Sequence, residues 1–265
     1  MHEVPEFDPA REELVIGTTD PSLYRVIPIL NRDKPSYEHT ARRLITAATR
    51  LNEFTAEAVR RLPPARPVRV RYTLETGSRS PNTEIDWAGT TFPVEIAPEL
   101  SPLASEVVHH LRTALEYLVF NMVWADTGKR PADWVTAPCY RTEASWTAKL
   151  KNKPLSQLST DNRSAIAAVQ PFTGTKWLAE LTALSNPDKH HSPIYVVPGI
   201  QWVMPQEMVL DAWHEVDATP RFMVQVNDDQ LDFIETTQQI MRGIINLANP
   251  LLVGDGMNPI AMSSS

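Results

Sequence analysis

The densest run of reactive side chains is Leu184-Ser-Asn-Pro-Asp-Lys-His-His-Ser-Pro193, which sets an amide, a carboxylate, an ammonium and two imidazoles side by side. Asp188 is suited to accept a ring N–H from His190 or His191, which fixes that ring's tautomer and raises its basicity, and Lys189 is suited to hold an anion. On that reading Asp188, Lys189 and His190 are catalytic candidates, with Asn186 and His191 as binding residues at a helix-to-strand junction where a scaffold can aim side chains at a pocket. The same residues also read as structure. Asn186 then caps a turn begun by Pro187, Asp188 sits favourably near its amino end, and the histidines fill the junction.

A second polar row lies upstream. His109, Arg112 and Glu116 are three and four residues apart and share one face of a helix, as do Glu106 and His110. Charged residues on a helix that is otherwise packed are costly unless partnered. The 186–191 segment is the expected source of partners, Asp188 for Arg112 and Lys189 for Glu116. Arg112 thereby joins the catalytic candidates, and Glu116 and His109 the binding ones.

Three strings occur in order: Val108-His-His-Leu-Arg-Thr-Ala-Leu-Glu-Tyr117, Gln170-Pro-Phe172 and Leu184-Ser-Asn-Pro-Asp-Lys-His190. Over roughly residues 100–195 the chain resembles a widespread group of uncharacterised bacterial proteins that carry a leucine-arginine-small-alanine-leucine-acid helix, a glutamine-proline-aromatic step and an asparagine-x-aspartate-lysine-histidine-arginine turn. It departs from that pattern with His191 in place of arginine and Glu116 in place of aspartate. A looser similarity is to the HEPN superfamily of helical ribonucleases and nucleotide-binding proteins, whose signature is an arginine, four to six residues, then a histidine. The literal match, Arg32 to His39, crosses Pro35 instead of sitting at a helix end. A composite match pairs Arg112 with His190. It implies a metal-independent ribonuclease or nucleotide-processing protein, of the kind found among bacterial toxins and phage-defence components. His190 would act as general acid or base, and Arg112 with Lys189 would stabilise phosphorane charge. The competing reading is a non-catalytic interaction protein in which the same residues form a buried polar network.

These residues need elements to hold them. Ser36 can cap a helix whose Tyr37, Ala41, Leu44, Ala48, Leu51, Phe54, Ala58 and Leu62 recur at steps of three or four until Pro63-Pro64 ends it. A helix that long implies packing along another long helix or along a second subunit, so a homodimer is one expectation. Val68, Val70, Tyr72 and Leu74 alternate with Arg69, Arg71, Thr73 and Glu75, the period of a strand with one buried face and one cationic face. Arg69 and Arg71 are therefore binding candidates, a local basic patch for RNA or a nucleotide. A returning strand is expected over 85–96. Ser101-Pro102 opens a second long helix to about residue 125, buried along Val108, Leu111, Leu115, Leu118 and Met122. Shorter helices are expected near 143–151, 161–169 and 175–185, then a β-rich run over 194–226. A final helix capped by Asn227 buries Leu231, Ile234, Met241, Ile244, Ile245 and Ala248. The fold class is α+β, a bundle of long amphipathic helices packed with a small, mostly antiparallel sheet. Residues 1–35 read as an extended arm, 36–253 as one domain and 254–265 as a loose tail.

Composition narrows the alternatives. The net charge of −7 argues against a general nucleic-acid binder. It hides a division, however. Between Arg42 and Arg71 eight arginines face two acids, and from Glu207 to Glu235 eight acids face one arginine. Cys139 is the single cysteine, so no internal disulfide forms and a cytoplasmic setting is expected. The start lacks the basic-then-apolar pattern of a secretory signal, and no apolar run reaches the roughly 20 residues of a membrane span. Glu106-x-x-His109 has the spacing of a carboxylate-bridged metal pair but no second such pair, so neither metal nor cofactor is expected.

Overall fold

The computed structural model describes residues 14–16, 34–62, 66–73, 82–86, 100–131, 135–151, 155–189, 194–202, 209–226, 229–254, 256 and 258–262. Two long helices form its axis. Helix α1 (Glu38–Arg61) buries Ala41, Leu44, Ala48, Leu51, Phe54 and Ala58, the stripe the spacing predicts. Ser36 serves its start differently from an N-cap residue: Tyr37 occupies the cap position, and the Ser36 hydroxyl accepts the Glu38 N–H at 3.3 Å. Helix α2 (Leu100–Thr127) is buried over more than one stripe, with Val107, Val108, Leu111, Ala114, Leu115, Leu118, Val119 and Met122 all sealed. A helix apolar around most of its circumference must be surrounded. Helices α1, α5 (Trp177–Lys189) and α6 (Phe233–Gly254) pack on it. The length of α1 is thus answered within the chain: it runs antiparallel to α2, His39 meeting Tyr117, Arg43 meeting His110 and Arg50 meeting Glu106. Two shorter helices, α3 (Glu143–Lys149) and α4 (Thr160–Ala168), carry side-chain caps from Thr142 and Ser159.

The sheet is antiparallel and centred on one 14-residue strand, β5 (Trp213–Val226). Its first part pairs with β2 (Arg66–Thr73), which pairs in turn with β3 (Asn82–Asp86). Its later part pairs with β4 (Val196–Trp202) and β6 (Asp229–Asp232). One strand therefore serves two cores: Phe222, Val224 and Val226 join the helical core, while Val216 and Ala218 form a smaller cluster with Val68, Val70 and Tyr72. The chain is α+β, with amphipathic helices packed against a small antiparallel sheet.

Several boundaries differ from expectation, and β3 begins at Asn82, ahead of the expected Ile85. Helix α5 does not end before Pro187 but continues to Lys189, so Asn186 lies inside the helix, exposed, and caps no turn. A proline in the last turn costs one backbone bond without blocking the turns before it. The last helix is capped by Asp232, whose Oδ1 accepts the Glu235 N–H at 2.8 Å, because β6 occupies the residues just after Asn227. Within the stretch expected to be loose, β7 (Ile260–Met262) pairs in parallel with β1 (Leu14–Ile16). Asn249 holds Ile260 by both backbone groups, at 2.9 and 2.8 Å. One glycine is set by contact: a Cβ on Gly243 would lie 2.5 Å from the Trp177 ring, so the α5–α6 crossing requires its absence.

Candidate functional site

Arg112 is 8% exposed in the middle of α2. Burying a guanidinium is costly unless its donors are matched, and here two of three nitrogens are. Nε donates to Glu116 Oε1 at 2.9 Å, one turn along the helix, and Nη2 donates to the Ala137 carbonyl at 3.1 Å. Nη1 is buried without a hydrogen-bond partner. Among the described residues, Glu116 and a main-chain carbonyl hold the guanidinium; the side chain of Asp188, the expected acid, lies outside the described residues.

The carbonyl belongs to a segment without helix or strand, 135–140, that a second motif residue also grips. Gln170 follows α4 and is fully buried. Its Oε1 accepts the Tyr140 N–H at 2.9 Å, and its Nε2 donates to the carbonyls of Pro138 and Ile166, each at 3.1 Å. Such a segment crossing a helical core has no ladder to satisfy its backbone, so side chains must do it. Arg112 and Gln170 fill that role for residues 137, 138 and 140. Cys139 sits between them, half-buried, its thiol 3.8 Å from the Leu178 carbonyl of α5.

The other candidates with described side chains make different contacts. His109 is exposed on α2, edge-on to His110 at 5.6 Å between centroids, and is not bonded to Arg112. Arg69 and Arg71 face outward from β2 as the alternation predicts, but acids meet them. Asp86 lies 3.8 Å from Arg69, and Glu84 and Asp211 lie 3.7 and 3.8 Å from Arg71. Arg69 also stacks over Trp213 at 5.3 Å. Asp188 and Lys189 belong to the last turn of α5, with side chains outside the described residues, as are His190 and His191. Among the candidates whose side chains are described, the structure brings Arg112 and Glu116 into contact.

Sequence reasoning implied that the first long helix packs along another or along a second subunit, but not which side chains meet in the seam between α1 and α2. There Arg43 Nη1 lies 3.0 Å from His110 Nδ1. A guanidinium only donates, so Nδ1 accepts and the remaining ring hydrogen sits on Nε2. Burial, then the charges of Arg43 and His109, hold this imidazole below its ordinary range, while Glu106 pulls the other way. The signal was half present, since Arg43 belongs to the arginine run and His110 to the polar row, but contact between two helices has no spacing to betray it.

Among the described residues no group of three or more histidine, cysteine or acidic side chains is placed to hold a metal. None of the described helices is long and apolar enough to cross a membrane. Comparison with protein-family models, curated proteins and solved structures finds no match to the chain.

Proposed function

We propose that this chain is a non-catalytic interaction protein in which the arginine and glutamine motifs fasten the fold from within. One observation carries the reading: Arg112, 8% exposed, spends two donors on Glu116 and on the Ala137 main chain. A catalytic cation must meet its substrate, and one committed to its own backbone is placed for stability instead. The arginine-to-histidine signature supports the same side, because the positions at its spacing from Arg112 are Tyr117, Leu118 and Val119. The test pairs turnover with folding. Purified protein incubated with several RNAs and nucleotides should show no cleavage that is lost in His190→Ala, while Arg112→Met should lower the unfolding midpoint. Cleavage abolished by His190→Ala in a protein of unchanged stability would overturn the proposal.

A second reading, an HEPN-like ribonuclease or nucleotide-processing protein acting through Arg112 and His190, has one observation in its favour. The unpartnered Nη1 of Arg112 is a donor held ready for an oxyanion. The chain leaving α5 returns to α2 where the Ile194 N–H meets Ser105 Oγ at 3.0 Å. Ser105 lies seven residues, roughly 10 Å along the axis, from Arg112. His190 precedes Ile194 by four residues, a reach of up to about 14 Å.

A further inference from the structure

The arginine run between residues 42 and 71 looks in sequence like a broad basic patch. In the fold it is almost entirely neutralised. Arg42 pairs with Glu38, Arg50 with Glu53 and Glu106, Arg60 and Arg61 with Glu57, Arg69 with Asp86, and Arg71 with Glu84 and Asp211. Among the described side chains of the run, Arg43 alone has no carboxylate. Its contact is the neutral acceptor Nδ1 of His110.

What surrounds Arg43 is a strip of hydrogen-bond donors along the α1–α2 seam. His39, one turn back on α1, is exposed and stacks on the Tyr117 ring at 5.4 Å between centroids. His110 keeps its ring hydrogen on Nε2, its other nitrogen being occupied, and His109 stands exposed beside it. The nearest acid on α2, Glu106, is held by Arg50 at 2.7 Å, which closes that end of the strip. Thr113 lies between His110 and Tyr117 on the same face.

We propose that this seam is an oxyanion site, with Arg43 as the charged anchor and the His110 and His109 rings as flanking donors, and that it takes the phosphate of a nucleotide or of an RNA backbone. Arginine suits this chemistry because its planar fork can keep Nη1 on His110 while its remaining N–H groups meet phosphate oxygens. Burial first, and then the charges of Arg43 and His109, depress the proton affinity of His110, with Glu106 opposing them. A bound dianion would counter those charges and raise it. The site is independent of Arg112 and asks for no turnover, so it holds whether or not the chain is an enzyme.

The experiment is an NMR titration of the histidine side chains at fixed pH and ionic strength, with inorganic phosphate, adenosine monophosphate and a short single-stranded RNA as three separate probes. The expected result is a saturable shift of the His110 and His109 resonances and a rise in the His110 pKa. In Arg43→Gln the apparent affinity should fall roughly ten- to hundredfold, the scale of one charge-assisted contact. Arg60→Gln, on the same helix and outside the seam, should bind as the wild type does. A response to adenosine monophosphate and phosphate alone identifies a free nucleotide as ligand, and a much tighter response to RNA identifies the phosphodiester backbone. Linear, non-saturating shifts, or the same curve in Arg43→Gln as in the wild type, would overturn the proposal. His110→Asn serves as a second variant if Arg43→Gln does not fold, and it should weaken binding as monitored at His109.

Discussion

Replacing Arg112 by methionine keeps an unbranched chain of similar reach and removes every donor. Two bonds disappear, one to the Glu116 carboxylate and one to the Ala137 carbonyl. A charge-assisted bond is worth about 1.5–3 kcal/mol, and Glu116, with a side chain 14% exposed, loses the Arg112 cation. Against this, the buried unpartnered Nη1 is also removed, which returns about 1–3 kcal/mol of desolvation. The net expectation is destabilisation of about 2–4 kcal/mol, measured by urea unfolding followed by tryptophan fluorescence and by far-ultraviolet circular dichroism. Adding Glu116→Gln to Arg112→Met removes the carboxylate that faced Arg112, so the double variant should be less destabilised than the two single losses sum to, with a coupling of about 1–3 kcal/mol. A loss below about 0.5 kcal/mol in Arg112→Met, with additive behaviour in the double variant, would refute the fastening role.

Two further outcomes follow from contacts elsewhere. His110 is protonated in the unfolded chain near pH 6.5 but in the fold only at lower pH, because burial, Arg43 and His109 oppose its charge. Stability should therefore be full above that range and fall as pH drops through about 6.5 toward the folded value, and His110→Asn should flatten this part of the pH profile of unfolding. Asn249→Ala removes both bonds to Ile260, at about 0.5–1.5 kcal/mol each. Limited proteolysis should then cut near residues 258–262 in the variant much faster than in the wild type, and equal rates would contradict the tether.

The periodic parts of the fold were legible because burial imposes its own spacing. The α1 stripe, the sealed face of α2 and the alternation of Val68, Val70 and Tyr72 all follow from which residues water rejects. Boundaries set by single contacts were not. Pro187 reads as a helix end, yet α5 runs through it to Lys189, and Asn227 reads as a cap, yet β6 intervenes and Asp232 takes the role. The candidate site was legible in part. The spacing put Arg112 and Glu116 on one helix face, but their expected partners lay in the 186–191 segment and not in each other, although positions four apart can pair. The segment at 137–140 gave no sign that it would take Arg112 and Gln170 for its backbone, since a stretch without helix or strand has no period and its partners lie 25 to 32 residues away. Charge counts misled for a related reason. Arg69 and Arg71 look unopposed until β3 and the turn before β5 bring Glu84, Asp86 and Asp211 against them.

The fastening of residues 137–140 is tested most directly at one amide. The Tyr140 N–H donates to the fully buried Gln170 Oε1 at 2.9 Å and has no helix or strand to protect it. Native-state hydrogen exchange should give this amide an opening free energy close to that of global unfolding, and Gln170→Met should release it to the rate of an open loop. Rapid exchange of Tyr140 in the wild type, at the pace of the exposed Arg141 beside it, would show that the segment is not held by its motif side chains and would contradict the proposed role.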